Sequence, residues 1–232
     1  MKKHLLFLFA ALLPLLASAQ TKVEIDGIWY NLTTETHTAE VTRGGNYSGS
    51  ITIPATVTYD GVAYSVTSIG NYAFYDCSSL TSITIPEGVT SIGYAAFYDC
   101  SSLKSITIPK GVTSIGGSAF YGCSSLTAIT LPEGVTSIGF NAFRGCTCLT
   151  AIVLPQSTRS VGREAFAGCP ELTDIYCHAE TVPGTNAYAF HGSNPEYATL
   201  HVPASALNTY KSTAPWSNFG KIVPLTDKEA GM

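Results

Sequence analysis

The stretch from Leu80 to Cys100 reads LTSITIPEGVTSIGYAAFYDC and is one copy of a pattern that recurs every 23 residues. Four residue columns keep this period without a gap. They are a phenylalanine column (Phe74, Phe97, Phe120, Phe143, Phe166), a cysteine column (Cys77, Cys100, Cys123, Cys146, Cys169), a leucine column (Leu80, Leu103, Leu126, Leu149, Leu172) and an isoleucine column (Ile83, Ile106, Ile129, Ile152, Ile175). Self-similarity at one fixed period indicates a repeat architecture.

Each repeat opens with a pattern that is typical of a short strand. Ile83 and Ile85 alternate with polar residues, as in a strand with one buried face. Pro86 lacks a backbone donor and is expected to end that strand, and Gly88 is expected to complete a turn. One half of the repeat is therefore predicted to be a strand followed by a tight turn.

The other half of the repeat is predicted to turn inward again. Val89 and Ile92 favour a second short extended stretch, and Gly93 lies where the backbone bends sharply or approaches its neighbour. The segment around Ala96 and Phe97 is predicted to form a single helical or 3₁₀ turn that buries the phenylalanine. Every repeat therefore returns apolar side chains to one interior.

A single repeat of this length cannot enclose its own apolar side chains, so the repeats must stack and cover one another. Stacked strands would lie in register, about 4.8 Å apart. The predicted fold is a right-handed solenoid of the leucine-rich-repeat kind. It is mainly β, a parallel ladder of short strands with short helical or 3₁₀ turns, a hairpin N-terminal cap and an α+β C-terminal cap.

The segments on either side of the repeats predict these caps. Asp26-Gly27 and Asp60-Gly61 each lie between strand-like runs and predict two-residue hairpins. Near the other end, residues 204–210 favour a short helix, and Trp216 is expected to plug the last coil. The predicted segments are a leader (1–19), an N-terminal β cap (20–50), the repeats (51–177), a degenerate repeat with the C-terminal cap (178–225) and a flexible tail (226–232).

The N-terminal residues predict export. Lys2 and Lys3 precede an apolar run, Leu5 to Leu16, that is too short to span a bilayer, and Ala17-Ser18-Ala19 fits a cleavage site. Loss of the two lysines would change the formal charge from −4 to −6. An acidic chain has no electrostatic attraction to nucleic acid. We expect a protein that is secreted or at the outer cell surface, or alternatively periplasmic, with no membrane span.

The repeat unit closely resembles the BspA-like class of leucine-rich repeats over residues 51–177. The unit Leu-x-x-Ile-x-Ile-Pro-x-Gly-Val-x-x-Ile-Gly-x-x-Ala-Phe-x-x-Cys carries this resemblance. It implies an exported or surface-exposed protein of host-associated bacteria. Members of the class are linked to adhesion, including binding of host matrix proteins and of other bacteria.

The cysteines and histidines predict no reactive centre. Cysteines spaced by one repeat project in parallel, which suits neither a disulfide nor a metal site, so the column is predicted to be small, reduced core residues. Cys148 and Cys177 lie outside the column, and a bridge between them stays open. The mature histidines match no metal or catalytic spacing: His37, His178, His191 and His201. We predict no catalytic residue, cofactor or metal, with an enzyme site in the C-terminal cap as a minor alternative.

Two sets of outward positions are candidate binding surfaces. Tyr75, Tyr98 and Tyr121 recur one repeat apart, with Asp76 and Asp99 beside the first two. This stripe could hold a glycan or a protein segment, or could simply pack against itself. The other set is the outward face of the predicted strands, represented by Thr84, Thr107 and Thr130. The leading hypothesis is a non-catalytic binding protein whose partner is a host or microbial surface or matrix protein, with glycan binding through the tyrosines as the alternative.

Overall fold

The computed structural model describes residues 20–230, so the predicted leader lies outside the described residues. These residues form a mainly β, parallel solenoid of about eight coils. The strands are β1 (Gln20–Ile25), β2 (Ile28–Thr33), β3 (Thr38–Val41), β4 (Gly49–Thr52), β5 (Thr56–Tyr59), β6 (Val62–Ile69), β7 (Leu80–Thr84), β8 (Ser91–Ile92), β9 (Ser105–Ile106), β10 (Ser114–Ile115), β11 (Ala128–Thr130), β12 (Ser137–Ile138), β13 (Ala151–Leu154), β14 (Ser160–Val161), β15 (Asp174–Cys177), β16 (Gly184–Thr185), β17 (Thr199–Val202) and β18 (Lys221–Pro224). The helices are α1 (Leu207–Ser212) and α2 (Asp227–Ala230), with 3₁₀ turns at Pro195–Tyr197, Ala204–Ala206 and Trp216–Asn218.

The N-terminal cap is an antiparallel meander of β1, β2 and β3. Asp26 and Gly27 both have positive φ, 50° and 79°, as a two-residue hairpin of the type I′ kind requires. β5 and β6 form the second hairpin at Asp60 and Gly61. β3 then pairs in parallel with β6, which joins the cap to the solenoid. Both predicted hairpins are confirmed.

Two parallel ladders run along the solenoid. One joins β6, β8, β10, β12, β14 and β16, and aligns Ile92 with Ile115 in neighbouring coils. The other consists of β4-β7-β9 followed by β11-β13-β15-β17-β18, and aligns Ile129 with Ile152. Equivalent residues of successive repeats are thus direct neighbours, and the predicted ladder register is confirmed.

The third side of each coil differs from the predicted helical turn. Around Ala96 and Phe97 the chain forms a run of tight turns, with the Tyr98 amide donating to the Ala95 carbonyl at 3.2 Å. Other amides donate to the next coil instead, such as that of Phe97 to the Ala119 carbonyl at 2.7 Å. Ala95 and Asp99 have positive φ, 50° and 54°, which reverses the direction of successive amides. A helix would have kept all these bonds within one coil.

The interior is built from the repeat columns. The phenylalanine rings stack from Phe74 to Phe190 with centroids 5.2–5.5 Å apart and planes within 9°. Beside them, the Cys123 thiol donates to the Phe97 carbonyl at 3.1 Å, and the other cysteines from Cys100 to Cys169 repeat this bond. Burial of each such phenylalanine contributes about 1.5–3 kcal/mol before ordering costs. Stability therefore accumulates along the stack.

The C-terminal cap closes the last coil with aromatic side chains. Trp216 is fully buried and donates its indole N–H to the Pro183 carbonyl at 3.0 Å. Trp216 and Phe219 pack edge-on against Phe190, the last ring of the stack. The Tyr210 hydroxyl donates to the Ala179 carbonyl at 2.7 Å. The predicted helix and tryptophan plug are confirmed.

The segment predicted to be a flexible tail contains ordered structure up to residue 230. β18, at the end of the predicted C-terminal cap, extends the second ladder beyond β17, and α2 lies within the predicted tail. Glu229 in α2 accepts hydrogen bonds from the amide and hydroxyl of Thr226 and lies 3.3 Å from Nδ1 of His201. His201 also lies 3.1 Å from Asp174. These contacts attach the segment to the solenoid. Across residues 20–230, none of the helices has the length and apolar character needed to cross a bilayer.

Candidate binding surfaces

The predicted tyrosine stripe is a ladder of stacked rings on the turn side of the solenoid. Tyr75 and Tyr98 lie 4.9 Å apart, and Tyr98 and Tyr121 lie 4.5 Å apart, with planes within 13°. The guanidinium groups of Arg43 and Arg144 lie over the two end rings, 4.9 and 5.9 Å from the ring centroids. The ring faces are therefore covered by one another and by arginine, so a ligand would meet ring edges and hydroxyl groups.

Asp76 and Asp99 occupy a position where the backbone needs positive φ, 60° and 54°. Aspartate tolerates this conformation better than most residues, which gives both a structural role in the turn. Burial, together with the charge of Asp76, raises the pKa of the Asp99 carboxyl. The two carboxylates lie beside the tyrosine ladder, so the structure brings these predicted residues together.

A second group of rings lies more openly on the same side. Tyr72, Tyr94 and Phe140 are 41, 37 and 51% exposed. Tyr94 joins the other two: its ring centroid is 5.3 Å from that of Tyr72 and 5.8 Å from that of Phe140. Phe140 reaches Tyr94 across Gly117, where a side chain would collide with its ring. We call these three residues the aromatic patch.

The predicted strand face is flat and polar. Thr84, Thr107 and Thr130 are all exposed, and β11, β13 and β15 align Thr130 with Val153 and then Tyr176. Tyr176 stacks on His201 at 4.4 Å, so the face becomes aromatic toward the C-terminal cap. The three threonines share one side of the solenoid but do not meet the tyrosine ladder.

The thiols are arranged as core residues. The five column cysteines and Cys177 are buried, and Cys148 is exposed; all seven are free. Cys148 and Cys177 are therefore not bridged. Burial raises the pKa of the Cys169 thiol to about 12 and that of Cys177 to about 11. Thiols held neutral in this way are poor nucleophiles and poor metal ligands.

The histidines of the C-terminal cap do not converge on one site. His178 lines a hollow of about 320 Å³ with Glu133 and Glu180, and His191 lines a separate hollow of about 290 Å³ with Tyr188. His201 pairs with the carboxylates of Asp174 and Glu229. Within residues 20–230, no group of three or more histidine, cysteine, aspartate or glutamate side chains is arranged to hold a metal ion.

Three adjoining hollows lie along the corner of the solenoid where the individual strands of the second ladder end and the chain turns. The largest, about 500 Å³, is lined by Ile108, Leu131 and Pro132 among others. The other two, about 320 and 300 Å³, both include Gln156 and Glu180. Glu133 lines all three and makes them continuous. We call this feature the corner groove.

Parallel ladders of short strands with columns of identical core residues define a leucine-rich-repeat solenoid. The sequence pattern described as "BspA type Leucine rich repeat region" matches residues 65–203 in six copies, and the chain belongs to this family. The family and its structural neighbours are bacterial leucine-rich-repeat proteins of the cell surface.

The chain is also similar to solved structures of other bacterial proteins. A leucine-rich repeat protein of T. pallidum is 32% identical, with 67% of this chain and 71% of that chain covered and a TM-score of 0.59. A leucine rich cell surface protein from Faecalibacterium prausnitzii is 25% identical (89% and 73% covered, TM-score 0.46). A leucine-rich repeat protein from Bacteroides capillosus is 27% identical (68% and 98% covered, TM-score 0.44). A comparison with curated proteins finds no match.

Sequence reasoning missed both the aromatic patch and the corner groove. Tyr94 and Phe140 share a repeat position that holds Gly117 in the coil between them, so no aromatic column was visible. The signal that could have revealed the patch is of another kind. Tyr94 and Phe140 are large aromatic residues at a repeat position that is not apolar in every repeat. The groove gave no signal, because its walls combine residues from at least five successive coils.

Proposed function

We propose that this chain is a non-catalytic binding protein of the bacterial surface that adheres to a host or microbial protein. The aromatic patch carries the proposal. Tyr72, Tyr94 and Phe140 expose contiguous ring surface on one side of the solenoid, whereas the exposed threonines of the strand face are small and polar. Exposed contiguous apolar surface marks interaction sites, and aromatic anchors dominate the binding energy of protein interfaces.

The charges around the aromatic patch favour a specific protein partner over a lipid surface. Arg144 and Arg163 both pair with Glu164 beside Phe140, so positive and negative groups alternate at the edge of the rings. A polar rim around aromatic anchors is the usual anatomy of a protein–protein interface. The family assignment supports the same reading, since leucine-rich-repeat solenoids present extended binding surfaces.

The test is binding of the purified chain to matrix proteins and to whole cells, compared between two triple variants. Y72S/Y94S/F140S removes the aromatic patch, and T84A/T107A/T130A alters the strand face. We expect the first variant to lose at least about tenfold in affinity, or about 1.4 kcal/mol, and the second to bind normally. Circular dichroism checks that both fold. Loss of binding in the strand-face variant alone, or silence across the whole panel, would contradict the proposal.

Glycan binding through the tyrosine ladder is the second candidate. Burial, together with the nearby Tyr121 hydroxyl and the charge of Asp99, raises the pKa of the Tyr98 hydroxyl. A row of hydroxyls and carboxylates offers donors and acceptors to sugar hydroxyls. A glycan array with the wild-type chain and Y75A/Y98A/Y121A tests it: the variant should lose the signal, and an unchanged signal would discard this candidate.

A further inference from the structure

His201 lies between two carboxylates that belong to different elements. It is part of β17, and its ring stacks on that of Tyr176 in β15 with centroids 4.4 Å apart. Nε2 of His201 lies 3.1 Å from Oδ1 of Asp174 in β15, and Nδ1 lies 3.3 Å from Oε1 of Glu229 in α2. Burial, together with the charges of Asp174 and Glu229, raises the pKa of the Tyr176 hydroxyl above 10.0, so this neighbour is neutral at ordinary pH. The imidazole therefore connects the solenoid to α2 through its two nitrogens.

The other elements around the ring bring no cation to the two carboxylates. In β18, Val223 is the residue paired with His201, and Lys221 lies two residues before it. Asp227 and Lys228, the other charged residues of α2, are exposed. Neither lysine makes an ion pair with any residue that the structure describes. The positive charge at this site must therefore come from the histidine itself.

Both carboxylates have hydrogen bonds that suit their ionised form. Oε2 of Glu229 accepts from the amide and the hydroxyl of Thr226 at 2.8 and 2.7 Å. These bonds, with a smaller effect of His201, lower the pKa of the Glu229 carboxyl from its ordinary value of 4.5. Oδ2 of Asp174 accepts from the hydroxyl of Thr173 at 2.9 Å. The histidine ring thus faces negative charge on two sides.

The protonated ring suits this position and the neutral ring does not. A neutral imidazole carries an N–H on one nitrogen and a lone pair on the other. Whichever nitrogen holds the hydrogen, the lone pair of the other nitrogen faces a carboxylate, which is repulsive. Nδ1 is buried and forms no hydrogen bond with another described residue, so a hydrogen there would face the carboxylate of Glu229. An imidazolium presents an N–H to both carboxylates.

We propose that residues 226–230, which we call the C-terminal strap, form a pH-sensitive latch. The strap is attached to the strand face while His201 is protonated and detaches when His201 is neutral. Its start is anchored, because the Leu225 amide donates to the Val202 carbonyl at 2.8 Å. Among the ion pairs within residues 20–230, that of Glu229 with His201 is the one that joins the strap to the solenoid. Detachment uncovers the His201 ring at the aromatic end of the strand face.

The direction of the pH dependence follows from proton linkage. An ordinary histidine is half protonated near pH 6.5. Because the attached strap favours the protonated ring, its attachment is complete below about pH 6.5. Above this pH the ratio of attached to detached strap falls by up to about tenfold per pH unit. Attachment is lost again below pH 4.5, as Glu229, with its lowered pKa, gains a proton. The profile is therefore bell-shaped.

The experiment follows the strap in the purified chain by NMR, between about pH 4 and pH 8. The heteronuclear ¹⁵N NOE of the Lys228 amide reports whether the strap is ordered. We expect an ordered strap near pH 5.5 and an attached-to-detached ratio that falls at least about tenfold between pH 6 and pH 8. Fluorescence of the buried Trp216 checks that the solenoid stays folded throughout.

Matched variants separate the latch from general effects of pH. H201Q is neutral at every pH, so its strap should be detached and the Lys228 signal constant. E229Q should remove the pH dependence, whereas D227N, which changes the exposed carboxylate of the same helix, should retain it. H191Q should also behave as wild type, because His191 lies in a separate hollow. A constant Lys228 signal in the wild-type chain, or the wild-type profile in H201Q, would overturn the proposal.

Discussion

At the scale of the residue, two positions in each of five successive coils adopt positive φ, and they are filled differently. The first holds Tyr72, Ala95, Ser118, Asn141 and Glu164, and the second holds Asp76, Asp99, Gly122, Gly145 and Gly168. Side chains other than glycine, asparagine and aspartate pay for this conformation. The residues at the second position are therefore those that tolerate positive φ best. At the first position, the hydrogen bonds between coils hold the backbone at positive φ.

At Gly145, the free-energy cost of positive φ can be measured separately from the cost of a steric collision. Its φ is +74°, and an added Cβ would meet nothing closer than 3.7 Å, so a side chain fits without a collision. G145A should lower the free energy of unfolding by about 1–2 kcal/mol, and G145N by less, because asparagine accepts positive φ. G45A is the control: Gly45 has open space and no positive φ, and its change should stay within about 0.5 kcal/mol. Urea unfolding measures all three, and equal losses for alanine and asparagine at 145 would contradict the account.

The candidate site shows where single-residue reasoning stops. The stacking of Tyr75, Tyr98 and Tyr121 follows from their shared period, and self-packing was one of the two readings of the stripe. The aromatic patch does not follow, because Tyr72 and Phe140 meet through Tyr94 from repeat positions that differ by one residue. The contact between Tyr94 and Phe140 requires a small residue in the coil between them, and Gly117 is that residue.

At the scale of the element, the buried cysteines of the column, together with Cys177, couple stability to alkaline pH. In the unfolded chain each thiol ionises near pH 8.5. In the fold, burial holds the thiols neutral, raising the pKa of Cys169 to about 12 and that of Cys177 to about 11. Because the folded pKa is the higher one, this contribution is complete below about pH 8.5 and declines as pH rises toward 11–12. Each thiol removes about 1.4 kcal/mol per pH unit across that window.

C123A should reduce by about one the number of protons released on unfolding between pH 9 and 11. This number is measured as the slope of the unfolding free energy against pH. Burial raises the pKa of Cys123 well above its usual value, so its removal eliminates one titrating group. V112A is the control, because Val112 is fully buried and does not titrate. It should lower stability at every pH and leave the slope unaltered. Identical slopes for wild type and C123A would contradict the role of the thiol.

The elements themselves were predictable where the sequence is periodic. The period-2 pattern at Ile83 and Ile85 and the proline that follows identify β7 and its end. The turn side was not predictable, since the choice between a helix and turns depends on amides that bond to the next coil. β18 and α2 were missed because they follow the last repeat and carry no period; only contacts such as that of Glu229 with His201 fix them.

At the scale of the whole molecule, a coil is the unit of construction, so removing one complete coil should preserve the fold. Deletion of residues 104–126 joins Leu103 to Thr127 and keeps every column in phase. We expect a folded, less stable chain that is shorter along its axis by about 4.8 Å. Small-angle scattering and thermal unfolding measure both effects. The control deletion, residues 104–125, leaves one extra residue and puts the columns locally out of phase, so it should be less stable than the in-phase deletion; equal stability of the two deletions would contradict the stacking.

The end-to-end order of the coils has a mechanical consequence. Strand pairing joins each coil only to the coils before and after it, and the two caps lie at opposite tips. Tension applied between the tips would therefore detach coils singly from an end instead of shearing all layers together. Each detached coil of 23 residues would release about 76 Å of extended chain, at roughly 3.3 Å per residue. A solenoid that unfolds coil by coil lengthens in small equal steps under load. A binding contact made through such a solenoid would survive a force that would break the same contact made through a rigid protein.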